Sequence, residues 1–282
     1  MYEIVRKREL NSLVKLFEIN APAVAKKALP GQFVIVRTGD GGERAPFTIS
    51  DSDPARGTVT FIAQEVGKTT RALGAMNEGD SLATFAGPLG KPTHFEAGIK
   101  RAAVVGGGLG SAIALPQAKN LYTRGAEVDS IVGFRTKGLV ILEEEMKAAS
   151  TNLHITTDDG TYGEKGFVTD ALKRLLDGGA KYDAVVAIGP PIMMKAVCEM
   201  TRPLKIYTVV SLNPIMVDGT GMCGCCRVTV GGRTRFACVD GPDFNGHEVD
   251  FDELMKRNAM YRAHEKESLE RHICKLEQQN IK

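Results

Sequence analysis

The chain lacks a strong charge of either sign: 36 lysines and arginines face 34 aspartates and glutamates, a formal net charge of +2. So even a balance gives no electrostatic footing for nucleic acid or an anionic membrane surface, and neither is expected as a partner. It also lacks any apolar run near the roughly 20 residues a bilayer span requires. It opens Met-Tyr-Glu-Ile-Val-Arg without an apolar signal core, so a reducing, cytoplasmic setting is expected. No repeat, low-complexity tract or Pro/Ser-rich linker interrupts it. What remains is an ordinary globular composition, 43% hydrophobic and 25% charged over 282 residues, enough for two compact domains and an appendage.

Cysteines are few, but four of the six fall between residues 223 and 238. That is the distribution of a metal site, not of a disulfide framework. The stretch reads Asp218-Gly-Thr-Gly-Met-Cys223-Gly-Cys225-Cys226, with Cys238 following. Plant-type [2Fe–2S] proteins space their ligands as a first, four residues, a second, two residues, a third, and a distant fourth. Asp218, Cys223, Cys226 and Cys238 match that spacing, with aspartate in the first place. Gly219, Gly221 and Gly224 let a short loop wrap a cluster and aim amides at its sulfurs. A carboxylate is a harder ligand than thiolate, which implies an altered reduction potential. Cys225 is an alternative fourth ligand or a packed thiol. Three cysteines and an aspartate also suit zinc, so a zinc-stabilised nucleotide-binding regulator without turnover stands as an alternative. Cys198 and Cys274 lie apart and read as core or surface thiols.

Residues 1–97 carry short β-rich runs, among them Val14–Ile19, Gln32–Arg37 and Gly57–Gln64, broken by turn signals such as Asp53-Pro54 and Glu78-Gly-Asp80. This predicts a small antiparallel β barrel, with a helical turn from Lys68. Residues 98–210 alternate apolar runs with amphipathic stretches, a βαβ rhythm that predicts a parallel-sheet α/β domain. Residues 211–248 form the cluster subdomain. Residues 249–282 read as a helical arm, with one charged helix from Phe251 to Gln279.

Three turns fall at predicted strand ends of the α/β domain, the edge where such sheets bind ligands. Gly106-Gly107-Gly108-Leu-Gly110-Ser111 opens a helix, whose N-terminus supplies donors for a pyrophosphate. Asp158-Asp159-Gly160 and Gly189-Pro190-Pro191-Ile-Met193 close two further strands. Together they indicate a nucleotide cleft. Arg135 and Lys137 stand where a ribose 2′-phosphate would lie. In the barrel, Arg44-Ala-Pro46-Phe47-Thr48 offers a cation for phosphate, apolar cover for a flavin ring and a hydroxyl for its N5. Gly67-Lys-Thr69-Thr70 offers donors for a second phosphate. No side chain is nominated as a catalytic acid or base.

In this order the pieces resemble the ferredoxin–NADP reductase superfamily, and within it the dihydroorotate dehydrogenase electron-transfer subunit group. Aspartate at 218, where that group has cysteine, is similar to the small-subunit family of NADH-dependent ferredoxin:NADP oxidoreductases. The resemblance covers the chain to about residue 245. It implies FAD in the barrel, with Ile62, Ala63 and Gln64 also at the flavin, one [2Fe–2S] cluster, and NAD(H), with NADP(H) as the alternative. It further implies a heterodimer with a larger flavin and iron–sulfur subunit resembling the glutamate synthase small chain. Such a complex reaches ferredoxin and bifurcates electrons. A subunit serving dihydroorotate oxidation or a soluble hydrogenase is the alternative. The superfamily places its arginine two residues before the aromatic; Arg44 stands three before Phe47, which leaves its phosphate contact open.

Overall fold

The computed structural model describes residues 2–280, with side chains through Arg271. The chain begins with β1 (Tyr2–Glu9), β2 (Val14–Asn20), a short helix α1 (Pro22–Ala25), β3 (Phe33–Arg37), β4 (Ala45–Asp53), β5 (Thr58–Gln64), α2 (Lys68–Gly74), β6 (Ser81–Leu82) and β7 (Thr84–Leu89). The strands pair antiparallel in the order β6-β1-β2-β5-β4-β3-β7, a nearly closed seven-stranded barrel. Its core holds Phe17, Ile19, Val59, Phe61 and Phe85. Strand β3 is buried on both faces. Val34 and Val36 enter the barrel core, whereas Phe33 and Ile35 pack outward against Met216, Cys226, Ala237 and Cys238. One strand thus joins the barrel to the cysteine-rich segment.

The second part runs β8 (Arg101–Gly107), α3 (Gly110–Thr123), β9 (Glu127–Phe134), α4 (Glu143–Ala148), β10 (Asn152–Thr157), β11 (Glu164–Lys165), α5 (Val168–Asp177), β12 (Ala184–Ile188), α6 (Pro191–Thr201) and β13 (Tyr207–Ser211). Strands β10, β9, β8, β12 and β13 lie parallel in that spatial order. Their residues are near-continuous apolar runs because helices cover both faces. Chain order reverses between β8 and β12, which makes this the topological switch point.

The rest forms a hairpin of β14 (Arg227–Val230) and β15 (Arg233–Phe236), α7 (Ala237–Asp240), β16 (Asp243–Asn245), α8 (Phe251–Asn258) and α9 (Arg262–Asn280). Strand β16 adds antiparallel to β13 at the sheet edge. The single helix expected from Phe251 to Gln279 is two helices, separated at residues 259–261. α8 buries Phe251 and Leu254 against the α/β domain. Cys198 is buried in that same core, and burial pushes its thiol up to about 12. The side chain of Cys274 lies outside the described residues. Among the described residues no helix is long and apolar enough to cross a membrane.

A polar junction ties the parts together. The Asp243 carboxylate on β16 accepts from Thr93 Oγ1, in the segment after β7. Gln117 Nε2 on α3 donates to Thr93 Oγ1 at 2.5 Å. Asp243 Oδ1 and Gln117 Oε1 are buried without partners. Burial raises the Asp243 carboxyl to about 6, against the hydrogen bonds from Ser211 and Thr93.

Candidate functional site

At the carboxyl ends of the parallel strands, two turns face each other across the switch point. Gly106 and Gly107 end β8, Gly108 turns the chain, and Gly110 and Ser111 begin α3. A Cβ on Gly110 would stand 2.2 Å from the carbonyl oxygen of Ile188, so only glycine lets α3 approach the end of β12. The opposite turn carries Gly189, Pro190 and Pro191, and Met193 leans back so that its Sδ lies 2.5 Å from where a Cβ on Gly107 would be. Ser111 Oγ is buried without a hydrogen-bond partner. An orphaned hydroxyl in the first turn of a 14-residue helix fits a phosphate oxygen, with the helix dipole in support.

One strand further, the loops after β9 and β10 are bonded together. Asp159 N donates to Arg135 O at 3.3 Å, and Lys137 N donates to Thr161 Oγ1 at 2.9 Å. Asp159 Oδ1 accepts from Thr161 N at 3.0 Å and Thr161 Oγ1 at 2.7 Å. The hydroxyl bond, then the amide bond, hold that carboxyl below its usual range. Asp158 and Gly160 share this turn, and Arg135 and Lys137 are exposed beside it.

On the barrel rim, Pro46, Phe47 and Thr48 lie on β4 opposite Ile35, Val34 and Phe33. Pro46 is exposed, and Phe47 and Thr48 are half-buried. Phe47 stacks on Phe61, with ring centroids 4.9 Å apart and planes at 25°. Gln64 ends β5 half-buried. Ile62 and Ala63 are buried, with side chains in two different cores, so any ligand meets their backbone. Thr70 Oγ1 accepts from Val66 N and Gly67 N at 3.0 Å each, and Thr69 donates its hydroxyl to Glu43. Open space stands beside Gly67. The half-buried ring of Phe47 and hydroxyl of Thr48 on this rim fit a flavin. Arg44 reaches elsewhere in this structure: Nε donates to Val217 O at 3.1 Å and Nη2 to Asp218 O at 3.2 Å.

The cysteine segment brings two of its expected ligands into contact and places the other two on the same loop. Cys226 and Cys238 are buried with sulfurs 3.2 Å apart. Cys223 is exposed, and the backbone amides of Cys225, then Asp218, hold its thiol below its usual value. Cys225 donates its own S–H to Cys223, which raises the Cys225 thiol, with burial adding to the rise. Burial, then the bond to Cys226, raises the Cys238 thiol. The Asp218 carboxylate accepts from Thr220, through the hydroxyl and through the amide at 3.0 Å, and these bonds lower its carboxyl. Among the described residues no three His, Cys, Asp or Glu side chains converge on one point for a single ion. Three thiols and a carboxylate in this segment are nonetheless a donor set that suits an iron–sulfur cluster by its chemistry. Three arginines meet the carbonyls of this loop from different elements: Arg227 and Arg257 were not singled out from sequence, and Arg44 was singled out for a flavin phosphate, not for this loop.

Comparison with known proteins agrees with this geometry. Residues 213–250 match the iron–sulfur cluster binding domain of dihydroorotate dehydrogenase B. The chain is 47% identical over 271 residues to a Thermotoga maritima homolog of the dihydroorotate dehydrogenase B (NAD(+)) electron transfer subunit, covering 96% of this chain and 95% of that protein. It is 36% identical over 228 residues to the Bacillus caldolyticus electron transfer subunit itself, covering 78% and 86%. A chain of the NADH-dependent reduced ferredoxin-NADP oxidoreductase structure, a study of flavin-based electron bifurcation, superposes with a TM-score of 0.91 at 46% identity. It covers 97% of this chain and 98% of its own.

Proposed function

Because the chain belongs to the dihydroorotate dehydrogenase B electron-transfer subunit family, and so is an FAD- and iron–sulfur-dependent oxidoreductase subunit, we propose that it passes electrons between NAD(H) and a larger partner in an NADH-dependent ferredoxin:NADP oxidoreductase. When bound, FAD and a [2Fe–2S] cluster supply the conversion between a two-electron hydride and single electrons. The chain's own residues bind and orient. Gly106 to Ser111 receive the dinucleotide pyrophosphate, with the Ser111 hydroxyl as an added donor. Gly189, Pro190 and Met193 form the opposite wall, and Asp158 to Gly160 with Arg135 border the ribose. Phe47 and Thr48 hold the flavin ring from the barrel side, with Gly67, Thr69 and Thr70 near its phosphates. Asp218, Cys223, Cys226 and Cys238 hold the cluster, and Cys225 stays a thiol donor. We assign residues 1–97, 98–210, 211–248 and 249–282 to flavin, nucleotide, cluster and helical-arm units.

The observation that carries this reading over a dihydroorotate-linked one is identity together with extent. The ferredoxin–NADP oxidoreductase chain is 46% identical with 97% of this chain covered, whereas the electron transfer subunits of Bacillus caldolyticus and Geobacillus thermodenitrificans are 36% and 34% identical with 78% and 87% covered. The aspartate at 218 supports the same choice. The partner is then a larger subunit with its own flavin and iron–sulfur centres, through which ferredoxin is reached.

The test is anaerobic purification, followed by iron, sulfide and flavin quantitation and titration with NADH. About two irons, two sulfides and one FAD per chain, bleached by NADH, are expected. Zinc with neither flavin nor sulfide sinks the proposal in favour of a nucleotide-binding regulator. Reduction of dihydroorotate dehydrogenase's catalytic chain, with none of a bifurcating partner, moves the assignment to that enzyme.

A further inference from the structure

The cluster loop contains no regular secondary structure between Leu212 and Cys226, yet several of its carbonyls are held from outside by guanidinium groups. Arg44, at the start of the barrel's β4, forks across Val217 O at 3.1 Å and Asp218 O at 3.2 Å. Arg227, on β14, donates Nη1 to Gly224 O at 3.1 Å. Arg257, on α8, donates Nη2 to Cys225 O at 3.1 Å. A trans peptide points its C=O and its N–H in opposite directions. An arginine on Val217 O therefore fixes the direction of Asp218 N–H, and an arginine on Gly224 O fixes that of Cys225 N–H. Both amides belong to the ligand loop, one on Asp218 itself and one on Cys225 between Cys223 and Cys226.

Resting on the cluster assignment above, we infer that Arg44 and Arg227 are positioning residues for the iron–sulfur centre: by holding the Val217 and Gly224 carbonyls from outside, they turn the amides of Asp218 and Cys225 to the inner side of the loop, where cluster sulfurs would lie. Hydrogen bonds to cluster sulfurs raise the reduction potential, because they favour the more negative reduced state. Arg257 gives the C-terminal arm a related role. It lies beyond the segment that matches the family's cluster domain, which ends at residue 250. α8 is fixed to the α/β domain by buried Phe251 and Leu254 and by Lys195 on Asp252 at 2.8 Å. From there it also reaches the start of the cluster segment, where Asn258 Nδ2 donates to Asn213 O at 3.3 Å.

A lysine keeps the charge of arginine but has no planar fork, which separates orientation from field. Arg44→Gln, Arg44→Lys and Arg227→Gln are prepared anaerobically. For each, FAD and iron content, the cluster midpoint by potentiometric titration, its electron paramagnetic resonance spectrum, and the rate of iron loss to a chelator are measured. The expected result is wild-type FAD content, a more negative midpoint and an altered spectrum in all three, with iron lost several-fold faster. A wild-type midpoint in Arg44→Lys beside a shifted Arg44→Gln would leave charge alone as the cause and overturn the inference. FAD loss on Arg44→Gln with an unchanged cluster overturns it too, making Arg44 a flavin phosphate ligand. An unchanged midpoint and spectrum throughout reject it outright. Should Arg44→Gln fail to fold, Arg44→Lys and Arg227→Gln decide the question. A wild-type protein without flavin or iron refutes the proposed function instead.

Discussion

The glycine turn after β8 and the cysteine loop after β13 are both short, glycine-rich and placed to hold a cofactor, but they keep their shapes by different means. At Gly110 the constraint is packing, since no Cβ fits beneath the Ile188 carbonyl. At Gly224 the constraint is backbone conformation: its φ is +68°, while a Cβ there would find its nearest neighbour, Phe236 Cε1, 3.7 Å away. The first turn is shaped by a close-packed sheet and helix. The second has room at Gly224, is packed on side chains at Gly219 and Gly221, and depends on its own dihedrals, buried thiols and arginine contacts. A preformed turn suits a nucleotide that comes and goes, whereas a loop set by ligands and outside contacts suits a resident centre.

The sharpest break of that contrast is Gly110→Ala. Forcing a methyl against backbone should lower stability by about 3 kcal/mol, seen as an earlier denaturant midpoint, and should abolish nucleotide binding while leaving the iron content per folded chain intact. Next comes Asp243→Asn at the junction of the two regions. The folded-state carboxyl is raised above its unfolded value of 3.8, to about 6. The native state therefore holds that proton more tightly, so this group's contribution to stability is complete below pH 4 and is lost as pH rises through 6. Replacing the acid should raise stability at pH 7 by roughly 2 kcal/mol and flatten the profile between pH 4 and 6; an unchanged profile would assign the pH dependence to other groups. Gly224→Ala should cost about 1 kcal/mol of global stability through left-handed strain, yet speed iron loss more than Gly110→Ala does. Arg174→Ala removes an exposed pair with Glu164 remote from both loops and should change stability by less than about 0.5 kcal/mol.

Sequence reading put all three turns at strand ends, where the structure has them, and it proposed four ligand positions from local spacing alone. It named most barrel and sheet strands from their apolar runs. It did not read Ala45–Asp53 as a strand, since Pro46 argues against one. The structure accommodates the proline where β4 pairs only with β3, its pairing with β5 beginning at Ile49. Strand β16 is three residues without apolar alternation, so it forms by completing an existing sheet edge. The break before Arg262 has no glycine or proline to announce it. Most hidden were the arginines: Arg44 and Asp218 are separated by 174 residues, and nothing in either neighbourhood points to the other.

Strand β16 also bears on motion. Its hydrogen bonds to β13, through Val209, Val210 and Ser211, make the segment after the cluster ligands a part of the nucleotide sheet. Cys238, five residues before Asp243, is packed on Phe33 and Ile35 of the barrel. The cysteine segment is therefore stitched to both halves, and any hinge between barrel and sheet would have to tear one of the two seams. Cross-linking of this kind makes the segment a strut that holds the two halves at one spacing.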